Sequence, residues 1–430
     1  MAVISDHKAI FFNIDISIKQ KVDKTIRFRR SNPNFPKNLN RILTSSMISN
    51  NIVCGHSVPP CISCYVNYFR LISGKVFDEY CPYVTKTIQV VDKSKNWYCA
   101  EVRNANKNLR KAEKKYRTRP TIDNLNDFQR LRNIKCQTIT FAKRNYLHKS
   151  ISECSNNPRK IYNHLNNFLG KPSKEMALPN HESKLDLSNL FKDFFIEKIN
   201  KIVAAFDCNI TSPHLNPDLP INPVFNFNPI TDEEALSIIK DMNSTYCLND
   251  PFDIKKLDAD NLEIISSYFA DIANLSFNCG EFPESEKYAY LTPLLKKGED
   301  PDKFSSYRPL YKTSFLSKFL EKCVLKQLII HISKFDCLPW FQSAYREFHS
   351  VETALSRVHN DLYKVKTQSH RSILILLDLS SAFDTIDREL LLNDLEGWGI
   401  NGKALQWIHS YLSNRKFRVI PLMKFNLMKV

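Results

Sequence analysis

Apolar positions along this chain fall mostly at helical spacing, and the clearest stretch runs from 97 to 150. Two long helices are expected there, broken at Arg119-Pro120, because proline cannot continue a helix while Thr121 with Asp123 can start the next. The second carries Leu125, Phe128, Leu131, Ile134 and Ile139 near the helical period. Leu185 to Phe206 reads as another helix, apolar at Leu190, Phe191, Phe194, Phe195, Ile199 and Ile202; two more are expected at about 232–242 and 259–278. The pattern changes at two places. Residues 9–16 alternate in part, as a strand does, and Ile373-Leu374-Ile375-Leu376-Leu377 is continuously apolar, as a central strand covered on both faces would be. Between these elements, 17–90 is mixed and marked by Pro33, Pro36 and Pro59-Pro60, and 155–184 is loop-rich, with Gly170-Lys171-Pro172 as a break. Five prolines among Asn and Asp, from Pro213 to Pro229, make 207–230 the best linker. The mixture points to an α+β chain of more than one domain, with no internal repeat.

Charge sharpens this picture. Lys and Arg number 61 against 45 Asp and Glu, a net +16, which favours polyanion partners through phosphate neutralisation. Much of the excess sits on the two long helices. The first carries Arg103, Lys107, Arg110, Lys111, Lys114, Lys115 and Arg117, the second Arg130, Arg132, Lys135, Lys143, Arg144 and Lys149. Only Glu113, Asp123 and Asp127 oppose them between 103 and 149. A solvated helix face usually mixes its signs, so one-sign dominance favours contact with nucleic acid. The twelve cysteines are mostly isolated, and Met1 to His7 is no secretory leader; no apolar run approaches the ~18 residues that span a bilayer. Reduced thiols and no membrane are expected. Cys61-Ile-Ser-Cys64, with Cys54 and His56 nearby, resembles half a zinc site, but no second pair follows at finger spacing.

The candidate chemistry centres on Leu377-Asp378-Leu379-Ser380-Ser381-Ala382-Phe383-Asp384. A carboxylate at the end of a buried strand is costly unless something pairs with it, and a hard divalent cation such as Mg²⁺ does so. Phosphoryl transfer to a growing strand uses two such metals. Phe383 is placed to pack on a ribose, or simply in a core. Asp384 reads as an N-cap and Asp387 as its third-position acid, opening a helix with Leu390, Leu391 and Leu395 that Gly397 and Gly399 stop. Upstream, Lys296 and Arg308 flank a loop, where two cations could hold a triphosphate.

Together these pieces resemble the reverse transcriptases of non-LTR retrotransposons (LINE elements) of the jockey-like and chicken-repeat-like kind. Thr292 to Gly298 is similar to the family's fingers strand, and Tyr307-Arg308-Pro309 with Phe315 to Lys322 to its next motif. Phe341 to Leu355 resembles the template-side block, Asp378 to Asp384 the first palm motif, and Gly399 to Arg415 the segment after it. Trp97-Tyr98, the basic helices and Asp193-Phe194-Phe195 are similar to the connector between endonuclease and polymerase, and Ser5-Asp6-His7 to the last motif of the apurinic-type endonuclease.

The resemblance implies that Asp378 binds metal, that Phe383 is the steric gate, that Arg308 and Lys296 face the triphosphate, and that Gln342 and Arg346 lie along the template. It implies Mg²⁺ as cofactor, an RNA template, a DNA primer and dNTPs as partners, and a ribonucleoprotein of nucleus and cytoplasm. The expected domains are a remnant endonuclease strand (1–18), a mostly helical basic connector (19–206), the Pro-rich linker (207–230) and a partial right-hand polymerase, fingers and half of the palm (231–430). The family's Gln-Gly-Ser and Phe/Tyr-x-Asp-Asp motifs do not occur; Phe269-Ala270-Asp271-Ile272 lacks the second Asp and precedes Asp378. The expectation is a truncated chain, inactive alone. The competing expectation is a non-catalytic, basic nucleic-acid-binding protein.

Overall fold

The computed structural model describes residues 23–29, 61–89, 97–154, 158–169, 178–206, 224–242, 247, 249–254, 257–379 and 381–420. In chain order these form β1 (Asp23–Arg29), α1 (Ile62–Tyr80), β2 (Tyr83–Gln89), α2 (Ala100–Thr118), α3 (Ile122–Ser152), α4 (Pro158–Phe168), α5 (Lys184–Ala204), α6 (Asp232–Asp241), α7 (Ala259–Cys279), β3 (Tyr288–Leu295), β4 (Tyr307–Lys312), α8 (Phe315–Lys334), α9 (Val351–Thr367), α10 (Arg388–Gly397), α11 (Gly402–Leu412) and β5 (Lys416–Val419). Helix dominates, with little sheet, in keeping with the α+β class. The chain divides into two compact units, residues 1–27 with 85–177 and residues 28–84 with 178–430, so the expected connector contributes to both. The strand expected at 9–16, the relic at Ser5-Asp6-His7, and Cys54 with His56 lie outside the described residues. None of the described helices is long and apolar enough to cross a membrane.

In the first unit, α2 and α3 form a helical hairpin broken where Pro120 demands it. Thr121 caps α3, its hydroxyl accepting from the Asn124 N–H, and the Asn124 amide donates to the Arg119 carbonyl at 2.8 Å. Tyr116 and Phe128 stack near the turn, and Lys143 lies 4.8 Å over the Trp97 ring at the open end. The stretch expected as loop also holds α4, where Pro158 occupies the start of a helix, a position that needs no N–H.

In the second unit, α1, α6, α7, α8, α10 and α11 enclose one apolar core. Helix α1 falls in the stretch expected as mixed. Its buried residues Ile62, Val66, Phe69, Ile72, Val76 and Phe77 form a stripe three and four residues apart. Trp407 of α11 is buried among Phe227, Phe277, Phe282 and Tyr411, and its Nε1–H donates to Ser276 Oγ at 2.8 Å. Helix α7 ends at Gly280 with φ +68°, and a Cβ there would lie 3.2 Å from the Lys403 carbonyl oxygen. Glycine is therefore needed twice over, for the left-handed turn and for the approach of α11.

The sheet of this unit has the order β4-β3-β5, with β3–β4 antiparallel and β3–β5 parallel. Pro293 faces Pro309 across β3 and β4. Neither can donate a ladder bond, so this must be a non-bonded pair; β5 pairs only with Tyr288 to Leu291, so the missing Pro293 donor leaves no neighbour unpaired on that side. The inner face, Leu291, Tyr307 and Val419, packs on Leu187, Phe191 and Phe195 of α5. Phe191 meets Tyr307 edge-on at 5.0 Å. The end of the expected linker is part of this body: Phe225 and Ile230 are buried, and the Phe225 N–H donates to the Gly399 carbonyl at 2.9 Å.

Candidate functional site

Lys296 and Arg308 are brought together by the β3–β4 hairpin. Arg308 pairs with Leu294, and the Lys296 N–H donates to the Ser306 carbonyl at 2.9 Å, so both cations sit on the outward face as diagonal neighbours, roughly 7–8 Å apart. The Lys296 ammonium donates to the Ser305 carbonyl at 2.9 Å, while Arg308 is exposed. At the hairpin, Tyr307 donates to the Pro301 carbonyl at 2.7 Å; burial first, then Asp302 and Asp300, raise its phenol pKa.

Asp378 and Phe383 do not lie in the expected setting. The run 373–377 was expected as a covered central strand. Instead residues 371–379 belong to no strand, and Ile373 and Leu377 are 88% and 89% exposed. A strand holds only where neighbours take its backbone groups along its edges and its side chains on its faces. None of the described strands pairs with this run, and local periodicity cannot reveal whether partners exist. Asp378 itself is exposed, and Phe383 is 77% exposed in the single turn Ala382–Asp384. That turn lies near β4: the Tyr311 pKa is raised by burial and then by the Asp384 charge.

The helix after this turn begins later than expected. Asp387, not Asp384, caps α10, its carboxylate accepting from the N–H groups of Glu389 and Leu390 at 2.9 and 3.1 Å. Asp384 instead closes the turn, its N–H donating to the Ser381 carbonyl at 2.9 Å. Ser381 is left-handed, with φ +56°, and the Thr385 hydroxyl bonds the carbonyls of Ser381 and Ala382, which holds this turn apart from the helix.

Gln342 and Arg346 lie in an exposed loop before α9. Gln342 donates to the Ala344 carbonyl at 3.2 Å; Arg346 donates to the Pro339 carbonyl at 3.1 Å and pairs with Asp336 at 3.2 Å. Tyr345 and Phe348 are left-handed at φ +61° and +59°, and Phe348 is 97% exposed. No residue of α9 is buried, and Val351, Leu355, Val358 and Tyr363 remain open. The loop, α9 and the Asp378 segment thus each leave large apolar side chains facing solvent.

Mg²⁺ takes carboxylate oxygens, and the exposed Asp378 has the right donor chemistry for one ligand. Among the described residues, however, no three His, Cys, Asp or Glu side chains are grouped closely enough to hold a metal ion. The described residues therefore do not bring together a two-metal centre. Cys61 and Cys64, the expected half-site, stand at the start of α1.

Sequence patterning missed the cations Arg70, Lys312, Lys416 and Arg418; the alternation Tyr288-Ala289-Tyr290-Leu291, which puts one face outward, is the signal that locates three of them on the sheet.

Residues 295–428 match the family described as reverse transcriptase (RNA-dependent DNA polymerase). The chain is similar to the RNA-directed DNA polymerase from mobile element jockey of Drosophila funebris, 28% identical over 152 residues, covering 35% of this chain and 16% of the relative. The jockey polymerase of Drosophila melanogaster is 29% identical over 119 residues, 28% of this chain and 13% of its own length. The probable RNA-directed DNA polymerase from transposon BS of Drosophila melanogaster is 25% identical over 158 residues, 35% of this chain and 17% of its own. The matches span about a sixth of these curated relatives or less. From 295 to 428 the chain carries reverse transcriptase domain sequence, similar to that of mobile-element RNA-directed DNA polymerases.

Proposed function

We propose that residues 231–430 are the fingers and first palm segment of the RNA-directed DNA polymerase of a non-LTR retrotransposon, which copies RNA into DNA from dNTPs. The observation that carries the proposal is the hairpin that sets Lys296 and Arg308 on one face, inside or beside a match to the reverse transcriptase family. Arg308 holds the triphosphate in bidentate fashion with Lys296 beside it, Phe383 faces the sugar, and Gln342 and Arg346 follow the template. Asp378 serves as one metal ligand once other carboxylates join it; the described residues do not group it with two further ligands, and on this reading the chain binds its substrates without joining nucleotides. The test is binding of a DNA primer on an RNA template by fluorescence anisotropy, with and without the next dNTP. A several-fold tightening by the nucleotide, lost in Arg308→Ala, is expected. No nucleotide effect, or the same effect in Arg308→Ala, overturns the assignment.

A second reading rests on its own observation. A cavity of about 400 Å³ on α2 is lined by Tyr98, Arg103, Lys107, Arg110, Lys111 and Lys114. Arg103, Lys107, Lys111 and Lys114 follow one another at three or four residues, with Arg110 beside Lys111, over about 16 Å of helix, a stripe for a phosphate backbone. On this reading the chain is a nucleic-acid-binding protein whether or not it polymerises. Replacing all five by alanine is expected to flatten the dependence of log K on log salt by up to about 3.5 for a single strand. An unchanged slope rejects the stripe as a phosphate contact.

A further inference from the structure

Helix α9 has an apolar side that nothing covers. Val351, Leu355, Val358, Leu362 and Val365 follow one another at alternating steps of four and three residues, so they form one stripe along about 25 Å of helix. None of them is buried: the first three are exposed and the last two half-buried. The helix does not rely on this stripe for its shape. Ser350 and Thr353 close a capping box at its start, and the Arg357 guanidinium lies 4.0 Å over the Trp340 ring. A preformed helix with an open apolar stripe is an interaction surface.

The charges beside the stripe identify what fits it. Glu352, His359 and Lys366 recur every seven residues along one flank, and Asp361 and Arg357 lie on the other. Laid parallel on a second copy of the same helix, each of these charges would meet its own kind. Laid antiparallel about His359, Glu352 meets Lys366 of the second copy and Asp361 meets Arg357 of the second copy. Both matches follow from one register, because 352 and 366, like 357 and 361, stand equally far from 359. Each match occurs twice by symmetry, and only His359 faces itself, on the two-fold axis. Opposed helix dipoles favour the same direction. This arrangement also sets the loop before α9, where Tyr345 and Phe348 are exposed, against the end of the second copy's helix. The exposed run 373–377 leads off from that end, so one symmetric contact brings all three apolar features together.

We propose that α9 is a dimerisation helix: two copies of the chain pair antiparallel through the stripe from Val351 to Val365, with Glu352–Lys366 ion pairs across the contact. Five apolar positions on each side make a small interface, so the pair dissociates on dilution. The contact needs neither nucleic acid nor metal, and it stands independently of the polymerase reading and of the basic stripe on α2.

The test is sedimentation velocity on the full 430-residue chain, without nucleic acid, over a wide range of concentration. A reversible equilibrium between monomer and dimer is expected. Leu355→Glu/Leu362→Glu is expected to weaken it at least about tenfold, with circular dichroism and thermal melt matching the parent, because neither side chain is buried. Should that double variant unfold, the charge variants carry the test alone. Glu352→Lys and Lys366→Glu are each expected to be monomeric at concentrations where the parent is dimeric. Mixed in equal amounts, the two are expected to form a heterodimer, since each supplies the charge the other has lost. That recovery is specific to the antiparallel register. A monomer at every concentration, a dimer indifferent to Leu355 and Leu362, or charge variants that do not recover on mixing overturns the proposal. So does formation of large aggregates in place of a dimer.

Discussion

Asp250 provides a sharp quantitative prediction about the body that carries the sheet. Its carboxylate is buried and accepts the Phe315 N–H at 2.7 Å and the Cys247 N–H at 2.8 Å, tying the 249–254 loop to the start of α8. Burial pushes its pKa up from 3.8 to about 6; the two N–H donors and Lys318 pull it down but do not win, and Glu286 pushes the same way as burial. The fold therefore prefers the protonated acid. The stabilisation this group contributes is full below pH ~4 and is lost as pH rises through about 6. A rise from 3.8 to about 6 corresponds to about 3 kcal/mol at 1.36 kcal/mol per pH unit. The clean comparison is with Asp250→Asn, which cannot titrate. Asparagine turns an NH₂ toward one of the two backbone donors, costing about 1–3 kcal/mol at every pH. The stability difference between parent and variant, from urea unfolding at a series of pH values, is expected to shift against the parent by about 2.4 kcal/mol between pH 4 and pH 7, the rest of the change falling below pH 4. Other titrating groups largely cancel in that difference. A flat difference, or one that shifts in favour of the parent as pH rises, refutes the assignment of Asp250 as a carboxyl held neutral by burial.

Two further outcomes follow from packing. Gly280→Ala forces a left-handed alanine whose Cβ meets the Lys403 carbonyl at 3.2 Å, so a loss of at least about 1 kcal/mol is expected in thermal or urea unfolding; an unchanged midpoint contradicts the close approach of α11. Trp407→Ala removes the largest fully buried side chain and leaves Ser276 without that donor, so a loss of about 3–5 kcal/mol is expected, against little change if the indole were not in the core.

What was legible in the sequence was local. Pro120 and Thr121 fixed the break between α2 and α3, and the spacings at Phe191–Phe195 and Ile265–Phe277 marked α5 and α7. Helix α1 was legible but missed: its stripe from Ile62 to Phe77 is regular, yet Ser, Gly74 and Tyr between the apolar positions obscured it. The Asp378 strand was misread for a different reason. A continuous apolar run says that a segment can be buried, and only pairing with distant residues decides that it is; here those partners do not lie among the described strands. The site residues followed the same rule. Lys296 and Arg308 are close in sequence across one hairpin and come together, whereas the group that would complete Asp378 has no such local tether. Lys312, Tyr290 and Arg418, register partners across β4, β3 and β5, join strands more than a hundred residues apart, which no window of sequence displays.

The most direct measurement is Mg²⁺-dependent extension of a DNA primer on an RNA template by the 430-residue chain, run beside Asp378→Ala. The expected result is primer–template binding with no extension above the Asp378→Ala level, because one exposed carboxylate cannot hold two metals. Extension by the parent that Asp378→Ala abolishes would contradict the claim and show that these residues assemble a complete polymerase centre.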